Sequence, residues 1–358
     1  MNKNIRRFLS ALLLAIFLLS TGLLVRYHLH RQQNRESQAL ELAFRGDPSS
    51  ESTAPQFSQE LSHRDTPLWI PAPFQEDPAP TITLPGEGAV MAQPPAPPWV
   101  PEATPYGEAL ESCPDAEIDY SHTRDGYVMA RYLTPTDLRL KVLIKSPTIT
   151  YSYDLPPGEW TVFPLSDGNG DYQIKVLRNK EGNTYGNMLT TTINVTLDDE
   201  FAPFLRPNQY VNYENATQTM DKAAMLVAGI TDPLDKVEVI FNFVVNNLTY
   251  DYEKAATVQS GYLPALDQVL EAKKGICFDY AALMAAMLRS QGIPCKLVVG
   301  FAGDVYHAWI SVWSPDQGWV EGAIYFDGAN WQLMDPTFAS TTGNPAITGV
   351  TYTYKYIY

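Results

Sequence analysis

The spacing of apolar and polar positions divides the chain into four stretches of different texture. From Phe8 to Val25 the residues are apolar with almost no interruption and no polar period. Residues 36–112 show neither helical nor strand periodicity. From about Ile118 to Thr196 the pattern alternates in LRLKVLIK, TITYSYDL, EWTVFPL, DYQIKVLRN and MLTTTINVTL, with turn signals PPGE, SDGNGD and NKEGN between them. A period of two broken by Gly, Pro and Asp clusters predicts short strands, and their number predicts a small antiparallel β-sandwich. Beyond residue 201 the period changes. DPLDKVEVIFNFVVNNL carries Val237, Ile240, Phe241, Val244, Val245 and Leu248 at helical spacing, with Thr231 or Asp232 as N-cap. A shorter helix follows in LPALDQVLEAK, and a third in GICFDYAALMAAMLRS, stopped by Gly292 and Pro294. KLVVGFAG, HAWISVW, GWVEGAIYF, NWQLMDPT and TYTYKYIY then read as strands. Helices followed by an antiparallel sheet predict an α+β domain.

The apolar run is preceded by Lys3, Arg6 and Arg7 and followed by STGLLVRYHLHRQQNR, which lacks a small-residue cleavage pattern and a lipid-accepting cysteine. A span needs about 20 residues, so the run fits a short uncleaved anchor that exports everything after it; secretion after leader cleavage is the alternative. Half of the 28 prolines fall between Pro48 and Pro105. Proline fixes φ and removes donors, so this segment reads as a semi-extended stalk or, alternatively, as a ligand for a proline-reading domain. The expected organisation is an anchor at 1–35, a disordered stalk at 36–112, a β-sandwich at 113–200 and an α+β domain at 201–358.

Charge removes one function class. Six of the 25 basic residues and none of the 40 acidic ones lie in residues 1–35, leaving the remainder with a formal charge of −21. Such a body repels polyphosphate and offers no basic patch for nucleic acid. No H-E-x-x-H, C-x-x-C or glycine-rich fingerprint implies a metal or a nucleotide, so neither metal nor cofactor is expected. DGNGD, Asp167 to Asp171, has part of a calcium loop's carboxylate spacing, but without a distal glutamate it reads as a turn.

Three groups could carry chemistry in the last region. Cys277 opens a predicted helix, where free N–H groups and the macrodipole favour a thiolate over a thiol of ordinary pKa, about 8.5. His307 heads the strand HAWISVW and is the one histidine beyond residue 122. Asp335 ends the strand NWQLMD, and a carboxylate beside an imidazole fixes its tautomer and aim. Neighbouring antiparallel strands would place His307 and Asp335 side by side. Taken singly, each also has a plain packing role open to it. Of the other cysteines, Cys295 fits a small buried residue at a strand start, and a bond to Cys113 is the other choice.

GICFDYAALMAAMLRSQGIPCKLVVGF, then HAWISVW, then WQLMDPTF resemble the core of the transglutaminase-like superfamily over about Asp232 to Phe338, and FNFVVNNLTYDYEKA resembles the segment preceding that core in bacterial members. The resemblance implies a papain-like α+β fold with Cys277 as nucleophile, His307 as base and Asp335 as orienting carboxylate. It implies a thioester on a carboxamide or peptide bond, resolved by an amine or by water. Two positions depart from the pattern, Cys295 where alanine is common and Lys296 where arginine is common. The Cys277 N–H and the Tyr250 side chain are the candidate oxyanion donors, Tyr306 and Trp309 the candidate cleft walls, although Trp309 also fits plain core, and Asp279 a helix-start residue. Expected partners are a protein or peptide substrate, cell-wall peptide included, and the membrane. The rival expectation is a surface binding module that keeps the fold without the chemistry.

Overall fold

The computed structural model describes residues 100–358 apart from 260, 304, 315–317, 322–323, 327–330 and 334–351. The apolar run at Phe8–Val25, the proline-rich stretch up to residue 99, and Asp335 lie outside the described residues. Among the described residues no helix is long and apolar enough to cross a membrane.

The first half is built from two four-stranded antiparallel sheets. One runs in the order β1 (Leu110–Ser112), β2 (Ala116–Asp119), β3 (Tyr127–Tyr132), β6 (Thr161–Pro164). The other runs β5 (Thr150–Asp154), β4 (Leu140–Lys145), β7 (Gly170–Glu181), β8 (Thr184–Val195). Paired strand structure already begins at Leu110, inside the stretch read as stalk, because β1 pairs with β2 through Leu110↔Asp119. The period of two does what it should. Val142 and Ile144 of β4 face Tyr153 and Tyr151 of β5 and Val176 and Ile174 of β7, and all six are buried. Buried residues of both sheets belong to one apolar cluster. DGNGD is a turn: Asp167 accepts from Ser146 Oγ, Thr148 N and Thr148 Oγ1 at 2.8 Å each, so its carboxylate closes the β4–β5 connection.

The second half opens with helices α1 (Thr217–Leu226), α2 (Pro233–Asn247), α3 (Tyr252–Thr257), α4 (Leu266–Ala272) and α5 (Cys277–Arg289). Between them, β9 (Thr249–Tyr250) and β10 (Lys274–Gly275) pair in parallel. Helix α2 starts where the sequence predicts, with Asp232 accepting from the Leu234 and Asp235 N–H groups, and it buries Val237, Ile240, Phe241 and Val244. Every residue of α5 is buried. A helix enclosed on all sides is the core of its layer, and Ala281, Ala282, Ala285 and Ala286 let its neighbours approach closely. The sheet beside it runs β13 (Gly318–Glu321), β12 (Val305–Ser314), β11 (Cys295–Ala302), β16 (Tyr352–Ile357), all antiparallel. GWVEGAIYF divides into β13 and β14 (Ile324–Phe326), and β14 pairs with β15 (Trp331–Leu333) as a separate ribbon.

Two seams join the halves. Tyr153 lies 5.7 Å from Tyr210 and 5.9 Å from Tyr358, and Tyr210 lies 4.1 Å from Tyr358. On the connecting segment, Phe201 meets Trp313 at 4.7 Å and Phe204 meets Trp319 at 5.2 Å. Arg289, fully buried at the end of α5, clamps the second half with three backbone oxygens: Cys295 at 2.8 Å, Arg206 at 2.8 Å and Tyr358 at 2.7 Å.

Candidate active site

Cys277 is the first residue of α5, 1% exposed, with a free thiol. The turn that delivers it is tied down from two sides. The parallel β9–β10 bridge sets Tyr250 beside Gly275, with Thr249 N donating to Lys273 O at 2.9 Å and Asp251 N to Gly275 O at 2.8 Å. The LTYDY segment is thereby fixed against the residues just before the cysteine. From inside the helix, Asp279 accepts the Ile276 N–H at 2.8 Å, which satisfies one of the N–H groups a helix start leaves unpaired.

Asp279 does more than its helix-start position implies. Its carboxylate is wholly buried and takes the Lys254 ammonium at 2.7 Å and the Tyr262 hydroxyl at 2.5 Å. Lys254 also meets the Tyr262 hydroxyl directly and lies 4.2 Å over its ring. Burial, then the Asp279 charge, pushes the Tyr262 hydroxyl far above its ordinary pKa, so it stays a donor. Helix α3 brings Lys254 to this place because Asp251 caps it, accepting the Lys254 N–H at 2.9 Å. Burial opposes ionisation of Asp251, but that N–H and the Lys274 ammonium, 3.1 Å away, hold its carboxyl below the usual range. Gly275 completes the packing, since a Cβ there would stand 2.6 Å from Asp279 Cβ. Lys254 and Tyr262 escape a sequence reading because nothing in their spacing links them to residue 279.

His307 is the third residue of β12, 5% exposed, and pairs with Gly300 of β11. Glycine is required opposite it: a Cβ on Gly300 would reach Thr353 O at 1.9 Å and the Trp309 ring at 3.0 Å. The Trp309 ring lies nearly parallel to His307 at 6.2 Å and is itself fully buried. Helix α5 packs on β12.

Tyr306 is 1% exposed and belongs to the core cluster, since alternation along a strand turns it to the face opposite His307; Trp309 is buried against Tyr352 at 5.0 Å. Both are as enclosed as Cys277 and His307 themselves. Among the described residues, β15 pairs with β14, and β12 with β11 and β13. Asp335 itself lies outside the described residues. Cys295 has the packing role, at 0% exposure at the start of β11, with burial pushing its thiol up to about 12. Cys113 is likewise a free thiol. The Tyr250 hydroxyl is buried and has no hydrogen-bond partner, unlike a hydroxyl that points into water. Among the described residues no cluster of His, Cys, Asp and Glu is arranged to hold a metal ion.

A cysteine opening a buried helix, an antiparallel sheet packed on that helix, and a histidine on the sheet define a thiol-bearing α+β domain. Residues 221–336 match the family model described as the transglutaminase-like superfamily, and this domain belongs to it. A protein-glutamine gamma-glutamyltransferase of Pseudomonas aeruginosa is 34% identical over 15% of the chain and 10% of its own length. An uncharacterized protein of Bacillus subtilis is 32% identical over 24% of the chain and 14% of its own length, and one of Mycobacterium bovis 25% identical over 62% and 67%. The chain thus spans a small fraction of the first two relatives. Among solved structures, the periplasmic domain of TgpA from Pseudomonas aeruginosa is 15% identical, covering 58% of this chain and 92% of that one, with a TM-score of 0.31. Red sea bream transglutaminase is 16% identical, covering 62% and 49%, with a TM-score of 0.27.

Proposed function

We propose that the C-terminal domain performs cysteine-dependent acyl transfer or hydrolysis on a carboxamide or peptide bond. The observation that carries this reading is Cys277 at the first turn of a buried helix whose entry loop is held by the β9–β10 bridge and by Asp279. In the proposed chemistry the Cys277 thiolate attacks the carbonyl carbon, forming the C–S bond while the carbonyl π electrons move to oxygen. The Cys277 N–H and the unpaired Tyr250 hydroxyl would receive that oxyanion. Collapse expels the amine, which takes its proton from His307, and leaves a thioester. His307 then deprotonates the second nucleophile, whose attack releases the thiolate. Asp335 orients the imidazole. An amine as second nucleophile gives crosslinking, and water gives a peptidase or amidase.

The setting is part of the same proposal. Phe8–Val25 would anchor the chain, residues 36–112 would form a stalk, the two N-terminal sheets would act as a sandwich-like spacer or binding module, and the substrate would be protein or peptide outside the cytoplasm, cell-wall peptide included. The near-complete burial of Cys277 favours a second reading, a surface binding module that keeps the fold without turnover. Iodoacetamide labelling across pH separates the two. Catalysis predicts rapid modification of Cys277 well below pH 8, lost in His307→Ala; slow and equal labelling of Cys277 and Cys295 would sink it. A glutamine peptide supplied with and without a tagged amine, against Cys277→Ala, then distinguishes transferase from hydrolase.

A further inference from the structure

A cavity of about 540 Å³ opens between the residues that lead into the first sheet, the β2–β3 connection and the segment joining the two halves. It is lined by Glu102, His122, Arg124, Tyr127, Asp199 and Arg206, among others. That volume is of the size that small-molecule sites occupy.

The charges on its wall are unevenly answered. Arg124 binds Asp198 through Nε at 3.0 Å and Nη2 at 2.5 Å, and His122 Nδ1 faces Asp125 Oδ2 at 2.9 Å. Arg206 is different. It is 7% exposed, and its Nε and Nη1 groups have no hydrogen-bond partner. The buried Nε2 of His122 has none either. Both groups rest on one aromatic plate, the guanidinium 4.0 Å over the Tyr127 ring and the imidazole stacked on it at 4.8 Å. A cation–π contact offsets only part of the cost of taking an ion out of water, and Asp125 acts on the guanidinium only through space, leaving its Nε and Nη1 without a bonded acceptor. The same cavity is also lined by the carboxylates of Glu102, Asp125, Asp198 and Asp199. A simple anion would be repelled by them, whereas a ligand carrying both charges has each one answered.

We propose that this cavity binds a zwitterionic amino acid or short peptide, with its carboxylate on Arg206 and its ammonium toward Glu102 and Asp199. The Asp199 carboxylate accepts the Phe201 N–H at 2.9 Å and makes no other hydrogen bond among the described residues, and Glu102 lies at the exposed rim. The site is separate from Cys277 and does not rest on the acyl-transfer reading.

Calorimetric titration of the full chain carrying Cys277→Ala, which removes any turnover, tests this with L-alanyl-L-alanine, its C-terminal amide, its N-acetyl derivative and inorganic phosphate. The dipeptide binds saturably. Amidation and Arg206→Gln each weaken it by about tenfold or more, the loss of one charge-assisted contact, and acetylation and Glu102→Gln weaken it by a smaller factor. Absence of dipeptide binding, equal binding of the amide, unchanged affinity in Arg206→Gln, or phosphate binding as tightly as the dipeptide each overturns the proposal. Should Arg206→Gln fail to fold by circular dichroism, the capped ligands on the parent chain and Glu102→Gln at the rim give the decision.

Discussion

Replacing Asp279 by asparagine isolates what the buried carboxylate contributes to the loop before Cys277. Asparagine keeps the volume, and its carbonyl can still accept the Ile276 N–H now made at 2.8 Å. What it loses is the charge facing Lys254 at 2.7 Å, and its amide can present a second donor to the ammonium. Removing one partner of a buried pair costs about 3–5 kcal/mol. Lys254 is 27% exposed against 0% for Asp279, so water recovers part of the ammonium's solvation and the low end applies, about 3 kcal/mol. Lys254→Met should cost a similar amount, since it leaves the carboxylate with two neutral donors, Tyr262 and Ile276. The double variant should be more stable than the sum of the two by about 2 kcal/mol, because neither partner is then stranded. Urea unfolding followed by circular dichroism, with the slope checked for constancy, measures all three. Labelling of Cys277 by iodoacetamide without denaturant should quicken in Asp279→Asn as the first turn frays. A cost for Asp279→Asn below about 1 kcal/mol, or a coupling within about 0.5 kcal/mol of zero, would refute the reasoning.

Other substitutions and conditions probe the frame around the site. Arg289→Met removes the hydrogen bonds to three buried oxygens, those of Cys295, Arg206 and Tyr358, the last of which keeps the Leu297 N–H at 2.9 Å, and should destabilise by about 2–3 kcal/mol at roughly 1 kcal/mol per bond; unchanged thermal unfolding would contradict the clamp. Gly300→Ala sets a methyl 1.9 Å from the backbone oxygen of Thr353, so β16 must shift, at a cost of about 1–3 kcal/mol and with faster amide exchange along Tyr352–Ile357. Stability should fall at alkaline pH. Burial raises the hydroxyls of Tyr151, Tyr153, Tyr210, Tyr213 and Tyr358 above 10.0 and the Cys295 thiol from 9.0 to about 12. Folded values above unfolded ones mean that the neutral forms stabilise fully below the unfolded values and that this stability is lost as pH climbs through the folded ones. The urea midpoint should therefore decline above about pH 9–10, with the thiol's share of the slope absent in Cys295→Ala; a flat midpoint up to pH 11 contradicts it.

Periodicity carried much of the architecture because each element it identified has one face against the core. Helix α2 was legible down to its cap, since Asp232, Pro233 and the spacing of Val237, Ile240, Phe241 and Val244 all point to the same start and the same buried stripe. Strands β4, β5 and β7 alternate because only one of their faces is buried. Helix α1 and strands β2 and β3 were not read. TQTMDKAAML buries Thr219 and Met220 together with Ala223 and Ala224, a stripe too weakly apolar to stand out. In β3 five of the six residues YVMARY are buried, so the alternation that marks a strand is missing.

At the candidate site, the order of motifs located Cys277 and His307 on a helix start and a strand, as the structure places them. It is silent where the answer lies in a face or a partner. Tyr306 adjoins His307 in sequence, yet alternation sends the two side chains to opposite faces of β12, which adjacency alone does not register. Asp279 was assigned a helix-start role, which accounts for only one of its three bonds. The other two come from residues 25 and 17 positions away, which α3 and the segment after it fold back over the cysteine loop. Arg206 was invisible for a related reason. A lone arginine in LRPNQY reads as surface, and only the Tyr127 ring, supplied by a different sheet, explains how a guanidinium is buried there. Both cases follow one rule. A charge enclosed by the fold reports an interaction that local pattern cannot encode, because the groups that answer it are chosen by topology: Asp279 has its answer in Lys254, whereas the buried Nε and Nη1 of Arg206 have no bonded acceptor.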